Sequence, residues 1–307
     1  MSRAITFSEY GTPEVLRPAE VTLPEPGPGQ VRIRVRAASV NPLDVKIRSG
    51  AMAGAFPVRF PAIPGLDAAG VVDAAGEQAG AAVGDAVLGA TVGGSYATYA
   101  LLEEPVAKPA ALPWEVAASL VTVGRTAARV LGELGVRAGK TLLVHGAGGS
   151  VGILAVQLAA ARGLTVVATA GEHDIERVTA LGATAVRYGD GWLQRVRDAA
   201  PQGVDYVLDA AGAGVLADSV ALTGDSARIV TIADMSAAEH GVRFSAGGPD
   251  RTGQSGRADD PLPQLAHMAA AGTLTLPVWR TYPLEQAAAA HADLEAHRNH
   301  GKTVLLP

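Results

Sequence analysis

Cysteine is missing altogether from the 307 residues. That excludes disulfides, thiolate zinc sites and a cysteine nucleophile, and it leaves the redox compartment open. No stretch approaches the roughly 18 uninterrupted apolar residues of a membrane span, and the opening residues MSRAITFSEYG lack the apolar core of a signal peptide. A cytoplasmic protein with no membrane partner is therefore expected. Positive charge is scarce too: Lys and Arg number 25 against 30 Asp and Glu, the net charge is -5, and no long basic run occurs. Nucleic acid is accordingly not expected as a partner. There is no internal repeat and no low-complexity linker. What remains, 48% hydrophobic and 18% charged residues, is an ordinary globular composition long enough for two modest domains.

The most informative stretch is TLLVHGAGGSVGILAVQ, from Thr141 to Gln157. Thr141 to Val144 suit a buried parallel strand, while Val151, Leu154, Ala155, Leu158 and Ala159 have helical spacing. Between them Gly146, Gly148, Gly149 and Gly152 remove side chains where the backbone turns and where a diphosphate would approach the helix N-terminus. The usual G-x-G-x-x-G would put its third glycine at Val151; here the spacing is Gly146-x-x-Gly149-x-x-Gly152. Strand, glycines and helix still come in the order that dinucleotide binding needs, with a ligand-free tight turn as the alternative.

Upstream, Val31, Ile33 and Val35 alternate with Arg32, Arg34 and Arg36, as in a strand with one buried and one solvated face. Turn signals at 24–29, 64–65, 84–85 and 93–94 divide short apolar runs, so the first third reads as a barrel-like or sandwich domain. From Trp114 helices and strands alternate. Helices are expected over 114–131, 150–162, 174–181 and 215–222, and strands over 141–144, 165–169, 185–188, 205–209 and 228–232. Such alternation implies a doubly wound parallel sheet. A mobile loop is expected over Gly247 to Asp260, a helix over 263–271, and a helix and last short strand within 284–306.

The order of several short motifs resembles the medium-chain dehydrogenase/reductase superfamily, and within it the zinc-independent quinone oxidoreductases and enone reductases. These are Asn41-Pro-x-Asp44-x-Lys46-x-Arg48-x-Gly50, Pro64-Gly65-x-Asp67-x-x-Gly70-x-Val72, Gly84-Asp85-x-Val87, Gly94-Ser95-Tyr96-Ala97, Thr126-Ala127, the glycine turn with Gln157, Leu181-Gly182-Ala183, and Gly301-Lys302-x-Val304-Leu305. The resemblance implies an α/β protein: a GroES-like β-barrel catalytic domain (1–123, completed by 263–307) and an inserted Rossmann nucleotide-binding domain with a doubly wound parallel sheet (124–262), the active site lying in the cleft. Zinc-dependent relatives hold catalytic metal with a Cys and a Gly-His-Glu segment. The matching segment here is Gly65-Leu66-Asp67, so no metal is expected.

Without a Lewis acid, the reaction best suited to such a site is hydride delivery from a reduced nicotinamide to a quinone or an α,β-unsaturated carbonyl. The resemblance places Asn41 and Lys46 in the segment facing the nicotinamide. An amide donor and an ammonium there could serve the developing oxyanion, with Asp44 orienting a neighbour. A turn-forming Asn and a surface lysine paired with Asp44 are the bland readings. Met52, Phe56 and Phe60 are candidates to wall an apolar acceptor pocket.

Cofactor contacts are expected from Thr126, Gly146, Gly148, Gly149, Ser150, Val151, Gly152, Thr169, Ala170, Gly171, Arg177, Tyr188, Ala211, Ile232 and Arg298. Register to Leu181-Gly182-Ala183 puts Thr169 at the strand end that reads the adenosine ribose. Its neutrality favours NADPH over NADH, with Arg177, Arg298 and Tyr188 as candidates for phosphate and adenosine. Glu172, about 20 residues past the last glycine, speaks for NADH. His145 is expected to pack or bond locally, and His291, His297 and His300 to form a wet surface rather than a metal site. A homodimer is expected, with Arg228 to Ile232 as the pairing edge strand. The alternatives are an NADPH-binding protein without turnover, structural or sensing, and a dedicated biosynthetic tailoring reductase.

Overall fold

A computed structural model describes residues 1–246 and 260–307. The chain divides into two units, Met1–Thr122 with Leu262–Pro307, and Val123–Pro261.

The first unit holds β1 (Ser2–Thr6), β2 (Arg17–Val21), β3 (Val31–Val40), α1 (Pro42–Ser49), β4 (Asp67–Ala75), β5 (Ala86–Val92), β6 (Tyr99–Leu102), β7 (Val106–Ala107) and the start of α2 (Trp114–Glu133). β3 is its spine. It pairs antiparallel with β4 along most of its length and with β6 over Val31 to Arg34, so β3, β4, β5 and β6 close on one another as a barrel. Val31, Ile33 and Val35 point into a core shared with Ile5, Phe7, Tyr96 and Leu102. The opposite face is less wet than alternation suggests. Arg32 is buried, held by Asp73 at 2.9 Å and Glu25 at 3.2 Å.

α1 was not foreseen as a helix, although its punctuation is readable. Pro42 opens it, the Asp44 carboxylate accepts the Asn41 N–H at 2.7 Å, and Gly50 closes it at φ 85°.

The second unit contains β8 (Thr141–His145), α3 (Ser150–Ala161), β9 (Thr165–Ala170), α4 (Ile175–Ala180), β10 (Ala183–Arg187), α5 (Trp192–Ala199), β11 (Tyr206–Asp209), α6 (Leu216–Thr223), β12 (Ile229–Thr231) and β13 (Arg243–Phe244). All pairings are parallel, in the order β10-β9-β8-β11-β12-β13. That is the doubly wound Rossmann order. β8 is buried at every residue, as a strand covered on both faces must be. Three expectations need correction. α5, which buries Val196 against the sheet, was missed. The helix expected from Asp174 starts at Ile175, because Asp174 closes the 3-10 turn Glu172–Asp174. β12 is not an edge strand, because β13 pairs with Val230 and Thr231. The loop expected over Gly247 to Asp260 lies outside the described residues except Asp260, whose carboxylate pairs with Arg125 at 2.6 Å.

The chain then returns to the first unit with α7 (Leu262–Ala270), β14 (Val278–Pro283), α8 (Ala287–Glu295) and β15 (Lys302–Leu306). β15 runs parallel to β14 and antiparallel to β3. No helix among the described residues is long and apolar enough to cross a membrane.

Candidate active site

Antiparallel pairing brings one end of three strands together in the first unit. β3 ends at Val40, β4 begins at Asp67 opposite Ser39, and β15 begins at Lys302, next to the Thr303 that faces Val40. The polar residues at these ends meet. Lys302 Nζ donates to Asn41 Oδ1 at 2.7 Å and to the Val40 carbonyl at 3.2 Å, and Asn41 Nδ2 donates to Asp67 Oδ2 at 2.9 Å. The Thr122 hydroxyl donates to Asp67 Oδ1 at 2.6 Å and its N–H to Oδ2 at 3.2 Å. The amide of Asn41 is thus oriented without ambiguity, oxygen to ammonium and nitrogen to carboxylate. Asn41, Asp44, Asp67 and Lys302 are all at most 3% exposed.

Two carboxylates and one ammonium leave one excess negative charge if all are ionised, and burial opposes it. Asp44 absorbs the cost. Burial first, and the Asp67 charge second, push its carboxyl up to about 7. Burial raises Asp67 and brings Lys302 down to about 8, the carboxylates opposing the fall. Behind this cluster Tyr96 Oη lies 3.0 Å from His291 Nε2. His291 is therefore a core residue, neutral and lowered to about 3 by burial, not part of a wet surface.

The structure does not bring Lys46 into this network. Its side chain is on the exposed face of α1, whereas Asp44 and Arg48 are buried. The cation that meets Asn41 is Lys302, which stands in the sequence only as a member of the motif Gly301-Lys302-x-Val304-Leu305. The signal was present: a lysine opening the buried strand KTVLL. Of the proposed pocket wall, Met52 and Phe56 are half-buried, while Phe60 sits edge-on to Phe7 and Tyr10 at 5.5 and 5.0 Å.

In the second unit the strand ends of β8, β9 and β11 frame the glycine turn. Gly146 has φ +74°, and a Cβ there would come within 3.0–3.1 Å of the Ala210 carbonyl and the Ala211 N–H. A Cβ on Gly152 would lie 2.3 Å from Gly146 O, so α3 packs on the turn only through glycine. Gly149 is the exposed N-cap of α3, no side chain caps it, and the first turn carries no acid. The open amides and positive dipole end at Ser150 and Val151 suit a diphosphate, so the turn fits a dinucleotide. Ala211 is held by Asp209, whose Oδ1 accepts its N–H at 2.9 Å, and the Ile232 N–H bonds the Asp209 carbonyl at 3.0 Å. Thr126 is half-buried on α2.

Thr169 does not end its strand. β9 continues to Ala170, and the Thr169 side chain is buried 3.1 Å from His145 Nδ1, so Gly171 is the residue that follows the strand end. His145 also packs edge-on to Trp192 and is neutral, lowered to about 4 by burial. Arg177 is tied beside the turn, donating to Gly148 O at 3.1 Å and Asp174 at 2.5 Å. Tyr188 follows β10, is 62% exposed, and donates its N–H to Ala170 O at 3.1 Å. Arg298 lies in the first unit and pairs with Asp293 at 2.8 Å.

Two family models match the chain: the alcohol dehydrogenase GroES-like domain over residues 27–113 and the zinc-binding dehydrogenase over residues 181–305. The quinone oxidoreductase of Mus musculus is 33% identical over 330 residues, covering 100% of this chain and 98% of that protein. This chain belongs to the quinone oxidoreductase group of the medium-chain dehydrogenase/reductases. The quinone oxidoreductase of Lama guanicoe is 32% identical over 324 residues, covering 100% of this chain and 98% of its own. A mycobacterial structure in complex with NADPH superposes with a TM-score of 0.87 at 28% identity, covering 100% of both chains. The GroES-like barrel and the Rossmann sheet are the two units described above, and the protein is an oxidoreductase.

The zinc in one family description meets unsuitable residues. Asp67 belongs to the segment matching the metal ligands of zinc-dependent relatives, yet both its oxygens already accept hydrogen bonds and an ammonium stands one residue away across Asn41. A divalent cation would have to displace these donors and bear the repulsion of Lys302. The residues present do not fit a zinc ion.

Proposed function

We propose that this oxidoreductase uses NADPH to reduce a quinone or an α,β-unsaturated carbonyl, without a catalytic metal. The observation that carries the reading is the glycine turn at the head of α3, where Gly146 and Gly152 admit no side chain and the helix amides face outward. The NADPH complex of the mycobacterial relative supports the choice of cofactor, as does the neutral Gly171 at the end of β9. Bound NADPH supplies a hydride.

The chain supplies binding, orientation and charge. The amides of Ser150 and Val151 hold the diphosphate, the Gly149 N–H being spent on the Gly146 carbonyl at 3.0 Å. Asn41 is the proposed catalytic residue: its Nδ2 carries a second hydrogen that would bond the acceptor oxygen, where negative charge develops, once the acceptor reaches this buried amide. Lys302 and Asp67 are positioning residues that fix this amide and polarise it. Asp44, whose carboxyl is pushed up to about 7, holds a proton beside them near neutral pH. Such a site suits an acceptor that is already electrophilic, because the enolate or hydroquinone oxygen needs hydrogen bonding rather than coordination.

Purified protein mixed with NADPH and, separately, a simple quinone and an enone should consume NADPH only when acceptor is present, at a rate that chelators leave unchanged. Absence of oxidation with both acceptors, or stoichiometric zinc whose removal stops turnover, overturns the reading.

A further inference from the structure

The ends of β9 and β10 lie level, since Arg187 pairs with Ala170 and the Tyr188 N–H bonds the Ala170 carbonyl. Beside them, at the end of β8, is the glycine turn, whose Ala147 N–H bonds the Thr169 carbonyl at 3.1 Å. A dinucleotide with its diphosphate on α3 lays its adenosine ribose toward the next strand end, here Gly171. The rings of His173 and Tyr188 flank that glycine: a Cβ on it would lie 3.1 Å from His173 Cε1 and 3.4 Å from Tyr188 Cε1. Beyond it Glu172 and Arg187 form an ion pair at 3.0 Å, with side chains 77% and 66% exposed. Asp174 and Arg177 are engaged with Gly148 and each other, Asp174 also lying 3.4 Å from His173 Nε2. The loop after β10 is pinned by Arg195, which donates to the carbonyls of Arg187, Tyr188, Gly189 and Asp190.

We infer that Arg187 is the residue that receives a ribose 2′-phosphate and that Glu172 is its built-in competitor, the pair setting the choice between NADPH and NADH. This rests on the proposed NADPH-dependent function. Exposed ion pairs are weak and exchange readily. A 2′-phosphate brings a dianion and three acceptor oxygens, with which a guanidinium bonds in bidentate fashion. Arg187 then leaves Glu172 for the phosphate, and the carboxylate that stays behind holds the affinity down by repulsion. With NADH the roles reverse: Glu172 accepts the 2′-hydroxyl and Arg187 remains its partner. Selectivity is set by two side chains at the level of one glycine, and neither belongs to the diphosphate cradle.

The test is nucleotide binding by the full chain, followed by the fluorescence of NADPH and NADH. Arg187→Gln should weaken NADPH about tenfold or more and NADH less than about twofold, a change expected of a lost charge-assisted contact. Glu172→Gln should tighten NADPH by about three- to tenfold and weaken NADH, moving the ratio in the opposite direction. Both positions are exposed, and a near-ultraviolet spectrum checks that the fold is kept. If either variant leaves the NADPH-to-NADH ratio within about twofold of the parent, or if Arg187→Gln weakens both nucleotides equally, the inference is overturned. A parent protein that binds neither nucleotide overturns the proposed function itself, which is a distinct result.

Discussion

The two units are arranged to meet charge by opposite means. In the second, the glycine turn is a backbone device: its donors are peptide amides, its shape comes from missing side chains, and Gly149 reaches solvent. In the first, Asn41, Asp44, Asp67 and Lys302 are side chains buried to 3% exposure or less, and each depends on another for its hydrogen bonds or its charge state. A backbone cradle tolerates changes in its surroundings but not a Cβ. A buried side-chain network tolerates neither the loss nor the neutralisation of a member.

The sharpest way to break this contrast is Gly152→Val. Its side chain would start 2.3 Å from Gly146 O and 2.7 Å from the Ala147 Cα. Nucleotide titration should show binding weakened by about a hundredfold or more, with stability down by roughly 3 kcal/mol as the backbone shifts. Next is Lys302→Met, which leaves Asp67 and Asp44 without their cation. Denaturant unfolding should register a loss of about 3–5 kcal/mol. NADPH affinity of the folded fraction should stay within about twofold, because sites that share no partner add independently.

The third effect depends on pH. The folded-state carboxyl of Asp44, at about 7, lies above its ordinary 3.8. Its contribution to stability is therefore complete below about pH 4 and disappears as pH rises through 7. Asp44→Asn should remove that decline, so that its stability relative to the parent improves by roughly 2–4 kcal/mol between pH 4 and pH 8. An unchanged difference across that range would show that Asp44 is ionised throughout.

A smaller change is expected for Asn41→Ala. It should lower kcat/KM for the acceptor by about 30- to 100-fold while NADPH binding is unaltered. The smallest is Lys46→Ala, at an exposed position on α1. Turnover and melting temperature should stay within about twofold and about 1 °C if Lys302 is the cation that matters. A large fall in turnover at normal stability would instead restore Lys46 as the clamp.

The same contrast decides what can be read without coordinates. The cradle is contiguous, and its chemistry lies in residue spacing, so Gly146 to Gly152 and the flanking strand and helix are legible from one stretch. The parallel sheet is legible because buried strands alternate with helices. α5 was hidden by its polar, arginine-rich surface. The network draws on four segments from Asn41 to Lys302, and nothing local marks Lys302 as Asn41's partner; only the pairing of β15 with β3 does so. Lys46 was the candidate because the resemblance puts its segment against the nicotinamide, whereas α1 turns its side chain to the exposed face. Thr169 was displaced for a related reason, since a strand end is defined by hydrogen bonding and β9 runs one residue further.

The bond between Lys302 and Asn41 spans 261 positions, and this has a consequence for biosynthesis. At the usual pace of about 5–20 residues per second, a ribosome needs roughly 13–50 s to travel from one to the other. Throughout that interval the nascent barrel holds Asp44 and Asp67 with no ammonium to neutralise them. The whole nucleotide unit emerges in the meantime. The polar cluster of the barrel is therefore completed only after the inserted unit has been made.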